Sequence, residues 1–120
     1  MPWLANIVII LVALVHVWAL ILEMFLWTKP IGLRTFGQSL ERAQSSAVLA
    51  RNQGLYNGFL AAGLIFGLLY PDPAAALHIK TFFLICIVVA GAYGGYSVGW
   101  RIFLFQGAPA IVALALLWAA

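Results

Sequence analysis

The chain has 120 residues, 66% of them hydrophobic and 8% charged, against roughly half apolar and a quarter charged in soluble domains. This composition excludes an ordinary soluble domain and indicates an integral membrane protein, in which four spans of about 20 apolar residues each use nearly the whole length. Six basic against three acidic residues give a formal charge of +3, but the basic ones lie near predicted loops rather than in one run, so no nucleic-acid partner is indicated.

The expected fold is all-α: a single bundle of four transmembrane helices over residues 1–120, at about 3–27, 47–70, 73–96 and 102–119, with an amphipathic loop at about 31–46. The first segment runs from Trp3 to Trp27, with a tryptophan at each end where an amphipathic ring prefers the headgroup region. Its apolar run is too long, and its start too poor in Lys and Arg, for a cleavable signal, so it reads as a membrane helix. Inside it, His16 and Glu23 are seven residues apart. The helical period brings them to nearly the same face, roughly 10 Å apart along the axis.

Lys29, Pro30, Gly32 and Arg34 then end the helix and place positive charge outside it. Leu33, Phe36, Leu40, Ala43 and Ala47 recur at helical spacing with Arg34, Gln38, Glu41 and Arg42 between them. This suits either a short amphipathic helix at the interface or an extension of the second span capped near Ser39. Gly37 weakens a helix continuous through both.

The second span extends from about Ala47 to Tyr70, and Pro71-Asp72-Pro73 forms the next turn, with Asp72 suited to the N-cap and Pro73 to the first helical position of the third span. Lys80, some two turns into that span, is expected to snorkel outward. Gly54, Gly58 and Ala62, and likewise Gly91, Gly95 and Gly99, recur at four-residue spacing; such small residues let helices approach closely and also offer a homodimer interface. The last of these glycines can already belong to the turn. Loop three around Trp100 and Arg101 is short, so spans three and four form an antiparallel hairpin, with a kink expected near Pro109. Cys86 lies alone in an apolar run and has no intrachain disulfide partner.

Lys29, Arg34 and Arg42 in loop one and Arg101 in loop three put those loops in the cytoplasm by the positive-inside rule, with both termini extracytoplasmic.

The most polar stretch among the spans is Arg51-Asn52-Gln53-Gly54-Leu55-Tyr56-Asn57-Gly58. Depth counted along antiparallel helices puts Arg51 level with Glu23 and predicts an ion pair between them. Asn52, Gln53, Tyr56 and Asn57 lie near that level, and Tyr93, Tyr96, Ser97 and Gln106 come from the hairpin, so a polar cavity open to the cytoplasmic side is expected. The alternative is that Glu23 and Arg51 simply lock two helices, with the amides as interhelical hydrogen-bonding groups. His16 suits either a hydrogen-bonded neutral imidazole or a proton-transfer role. No metal, haem or other cofactor is expected: His78 lies near the outer end of its helix, His16 lies deeper, and His16 and Glu23 are too far apart to share an ion. The glycines of Gly91-Ala92-Tyr93-Gly94-Gly95 lie in an apolar helix with no Gly-Lys-Ser/Thr after them, so they cradle no nucleotide phosphate.

His16, then Glu23-Met24-Phe25-Leu26-Trp27, then Arg51-Asn52-Gln53-Gly54-Leu55-Tyr56-Asn57-Gly58-Phe59-Leu60-Ala61-Ala62-Gly63 resemble a family of small bacterial four-helix membrane proteins catalogued as domain of unknown function 1304. The resemblance covers almost the whole chain and implies a multi-pass protein of the bacterial inner membrane. Some members carry the label epimerase.

Three functions follow from these readings. The first is binding or transport of a small or amphipathic ligand in the polar cavity, through a homodimer because four helices make a thin bundle. The second is an intramembrane enzyme of isomerase or epimerase type on a lipid-like or isoprenoid substrate, with Glu23 or His16 as acid or base, a role that pairing with Arg51 would oppose. The third is an accessory subunit whose polar residues are structural.

Overall fold

The computed structural model describes residues 2–119, and among these every regular element is helical. We label the helices α1 (Pro2–Met24), α2 (Pro30–Phe36), α3 (Leu40–Leu69), α4 (Pro73–Ser97) and α5 (Trp100–Ala119). Three stretches, Trp3–Met24, Pro73–Ser97 and Trp100–Ala119, are long and apolar enough to cross a membrane. α3 has 30 residues, but the part before Phe59 carries the polar stretch through Asn57. Its uninterrupted apolar run, Phe59 to Leu69, rises only about 15 Å, half of a hydrocarbon core of about 30 Å.

The chain divides into two compact units, one comprising His16–Phe59 and the other the part of α1 up to Val15 together with the chain from Leu60 onward.

In the His16–Phe59 unit, α1 ends at Met24, three residues short of Trp27. The backbone N–H groups of Phe25 and Leu26 both donate to Ile21 O, which closes the helix before the chain turns. Trp27 is expected as an interface anchor, but its ring packs 4.8 Å from Phe36 and its Nε1 donates to Ser46 Oγ at 3.1 Å, so it fastens loop one to the start of α3. α2 begins with Pro30, whose missing N–H is harmless in a first turn, and ends at Gly37 in the left-handed conformation, φ 60°. There the N–H groups of Gly37 and Gln38 both donate to Leu33 O, the bonds that favour glycine after a helix. Ser39 then caps α3, its Oγ accepting from Arg42 N at 3.2 Å. Both readings of this stretch are thus partly right: a short helix forms, stops at Gly37, and is followed by an extension of the next helix beginning at Leu40.

In the second unit, Asp72 caps α4 as expected, its carboxylate accepting from Ala75 N at 2.9 Å. α4 and α5 form a tight hairpin. A Cβ at Gly91 would lie 2.5 Å from Gly107 N and 2.7 Å from Gly107 Cα, so the two backbones are in contact at this level. Gly95 similarly lies against Phe103, and Gly99 is in the turn with open space around it. The expected disturbance near Pro109 takes a specific form: residues Phe103–Gly107 make a π turn, with Ala108 N–H donating to Phe103 O, five residues back. A proline in a regular helix clashes with the carbonyl four residues before it and removes one hydrogen bond. The wider turn just ahead of Pro109 accommodates both effects.

Candidate functional site

The site is built where the end of α1 meets the first half of α3, inside the His16–Phe59 unit. Small residues set its geometry. On α3, Ala43, Ala50, Gly54 and Asn57 recur at seven-, four- and three-residue steps and are all buried, followed on the same stripe by Ala61 and Leu64. A Cβ at Gly54 would meet Met24 Cγ at 2.6 Å, and Glu23 Cβ and Leu20 O at 3.2 Å, and one at Gly58 would meet Leu20 Cδ1 at 2.7 Å. The two glycines therefore bring the α3 backbone directly against Leu20, Glu23 and Met24. Asn57, between them in sequence, is carried to the same contact.

There Asn57 Nδ2 donates to Glu23 Oε1 at 2.5 Å. Asn57 is only 6% exposed, and Glu23 is half-buried. A carboxylate only accepts hydrogen bonds, which fixes the amide orientation with its nitrogen toward Glu23. The second carboxylate oxygen and the Asn57 carbonyl oxygen are acceptors by chemistry.

The expected Glu23–Arg51 ion pair does not form, and Arg51 is exposed. Residues of one helix advance by about 100° each, so Arg51 and Asn57 point about a third of a turn apart. Packing at Gly54 and Gly58 selects the face that bears Asn57. Arg51, one position beyond buried Ala50, is turned off that face. The remaining residues of the motif are likewise directed away. Asn52 donates back to Val48 O of its own helix at 3.0 Å, Gln53 is exposed, and the exposed Tyr56 ring lies 6.0 Å from Phe59.

His16 is 2% exposed and lies on the buried face of α1 with Ala5, Ile9 and Val12, the face that reaches Glu23 two turns later. Tyr96 and Gln106 belong to the other unit: Tyr96 on α4 is 89% exposed, and Gln106 is half-buried within the π turn of α5. Tyr93 is also exposed, and Ser97 Oγ donates to Tyr93 O of its own helix at 2.7 Å. Among the described residues no three of His, Cys, Asp and Glu gather where they could hold a metal ion.

One polar contact that sequence reading does not anticipate lies in the second unit. Lys80, expected to snorkel outward, is half-buried and donates from Nζ to Asn6 Oδ1 at 3.2 Å. The signal was present in the spacing: Lys80 falls in step with Ala76, Leu84, Ile87 and Gly91, the buried stripe of α4.

The chain matches, over residues 10–118, the family described as "Protein of unknown function (DUF1304)". It belongs to that family. The match takes in His16, Glu23 and the whole Arg51–Gly58 motif. A relative described as "Uncharacterized protein YpaA", from Lactococcus lactis subsp. lactis (strain IL1403), is 35% identical over 116 residues, covering 95% of this chain and 96% of the relative. No solved structure matches.

Proposed function

We propose that this DUF1304 chain is a four-span protein of the bacterial inner membrane that binds, and moves, a small amphipathic molecule bearing a hydrogen-bond-donating or cationic head. α1, α4 and α5 cross as apolar helices and the 30-residue α3 crosses with its polar stretch toward the cytoplasmic side, with loops one and three in the cytoplasm. The observation that carries the reading is the Glu23–Asn57 contact: a half-buried carboxylate hydrogen-bonded to an amide, while Arg51, the cation of the motif, is exposed. A carboxylate taken from water without a counter-charge is costly, and a merely structural lock would be better served by the arginine available six residues earlier. The second carboxylate oxygen and the Asn57 carbonyl oxygen are acceptors that a ligand's donors can use.

The same observation supports a second reading. An Arg51 partner would oppose proton transfer by Glu23, and that partner is absent, so an intramembrane isomerase with Glu23 as acid or base remains consistent with the site. The two readings differ in what reaches it: a path to both membrane surfaces for transport, or a lateral opening to lipid for catalysis. A transport path through so thin a bundle needs a second copy. We place that contact on outward-facing side chains, because Gly54, Gly58, Gly91 and Gly95 pack within the chain.

The test is a thermal-unfolding screen of the purified protein against organic cations, amphipathic alcohols, isoprenoids and anions, alongside Glu23→Gln. A ligand that binds the folded state raises its apparent stability in proportion to the logarithm of concentration over dissociation constant. We expect a cationic or hydroxyl-bearing amphiphile to stabilise the wild type and to lose at least about tenfold in affinity in the variant, as loss of a charged hydrogen-bond acceptor implies. Stabilisation by anions alone, unaffected by Glu23→Gln, would refute the assignment.

A further inference from the structure

The polar pair Lys80–Asn6 lies outside the site just described and is independent of it. Lysine carries three N–H donors, and Lys80 uses one, on Asn6 Oδ1. Among the described residues no carboxylate pairs with it. Its position is built rather than incidental: a Cβ at Gly67 would meet Lys80 Cγ at 2.7 Å and Lys80 N at 3.2 Å, so the absence of a side chain at Gly67 makes room for the lysine stem against α3. With the Asn6 carbonyl already occupied by the ammonium, the amide nitrogen of Asn6 is a further donor beside the same charge.

The depth of the pair is marked by its neighbour. Thr81 Oγ1 accepts from Trp118 Nε1 at 3.0 Å, and Trp118 is exposed near the end of α5. Tryptophan at the end of a spanning helix favours the headgroup level. Lys80 therefore presents one positive charge and, with Asn6, several donors at the level where lipid phosphates lie.

We propose that Lys80 and Asn6 hold the phosphate of an anionic lipid headgroup. The phosphate supplies the negative charge and acceptor oxygens that the pair lacks, and charge-assisted hydrogen bonds to it are the strong kind. The experiment is lipid titration of the purified full chain in neutral detergent, read by native mass spectrometry, with phosphatidylglycerol as the probe and phosphatidylcholine as the comparison. The wild type should bind phosphatidylglycerol about tenfold more tightly, Lys80→Met should fall to the phosphatidylcholine level, and Lys80→Arg should keep most of the preference. Equal binding of the two lipids by the wild type, or a full preference retained by Lys80→Met, would overturn the proposal. If Lys80→Met does not fold, the wild-type preference and its retention by Lys80→Arg decide the matter. Inorganic phosphate and glycerol phosphate should not displace the lipid at millimolar concentration; displacement would replace a lipid by a soluble anion as the occupant. The phosphatidylglycerol preference is read at Lys80 and the ligand-induced thermal shift at Glu23, so this proposal and the Glu23 reading fail separately.

Discussion

Asn57→Ala is expected to destabilise the protein by about 1.5–3 kcal/mol, the range for a hydrogen bond to a charged group, because it removes the amide donor from the Glu23 carboxylate. The comparison that isolates the interaction is a double-mutant cycle with Glu23→Ala, measured by reversible unfolding in mixed micelles. Hydrogen bonds between membrane helices average about 0.6 kcal/mol and reach about 1.7. A partner that is a carboxylate places this one at the upper end, so we expect a coupling of about 1–2 kcal/mol. The matching cycle between Glu23→Ala and Arg51→Ala should be additive to within about 0.5 kcal/mol, since the two side chains do not meet. A large Glu23–Arg51 coupling beside a negligible Glu23–Asn57 coupling would reverse the description of the site.

Gly91→Ala should lower stability by about 1–3 kcal/mol, the usual cost of overpacking a well-filled contact. Alanine is the better helix former by up to about 1 kcal/mol, so a residue in free space would gain from the change. At Gly91 the added Cβ would instead meet the backbone of Gly107, at 2.5 Å from its nitrogen. Backbone cannot swing aside as a side chain can, and α4 and α5 must separate. Gly99→Ala is the control, because nothing lies within 4 Å of its Cβ position. Thermal unfolding of the two variants side by side checks the hairpin. Equal stability would mean that α4 and α5 are not in backbone contact at this level.

What could be read from the sequence was what depends on neighbours in the chain. The Asp72 cap and Pro73 take the expected form, the Ser39 cap is one of the two readings of its stretch, and the helix breaks at Gly37, where that glycine weakens it. Depth was legible too, since Glu23 does meet the polar stretch of α3. Azimuth was not: whether Arg51 or Asn57 faces Glu23 depends on which face of α3 packs inward, and Gly54 with Gly58 decides that against α1. The spacing Ala43, Ala50, Gly54, Asn57 held the answer, but charge drew the expectation to arginine. Lys80 likewise takes its position from its place on the Ala76–Gly91 stripe rather than from its charge. Pro109 announced a disturbance, but not that it takes the form of a π turn over Phe103–Gly107.

The most direct test of the claim that Glu23 and Asn57 serve a ligand rather than the fold is to replace both with apolar residues. Replacing both partners of a buried polar pair with apolar groups of similar size is often neutral or stabilising, whereas removing one is not. We expect Glu23→Leu/Asn57→Leu to unfold at or above the wild-type temperature and to lose every ligand-induced shift that the wild type shows in the same screen. A double variant that is as unstable as either single one, together with a wild type that no compound stabilises, would make the pair a structural lock and contradict the account.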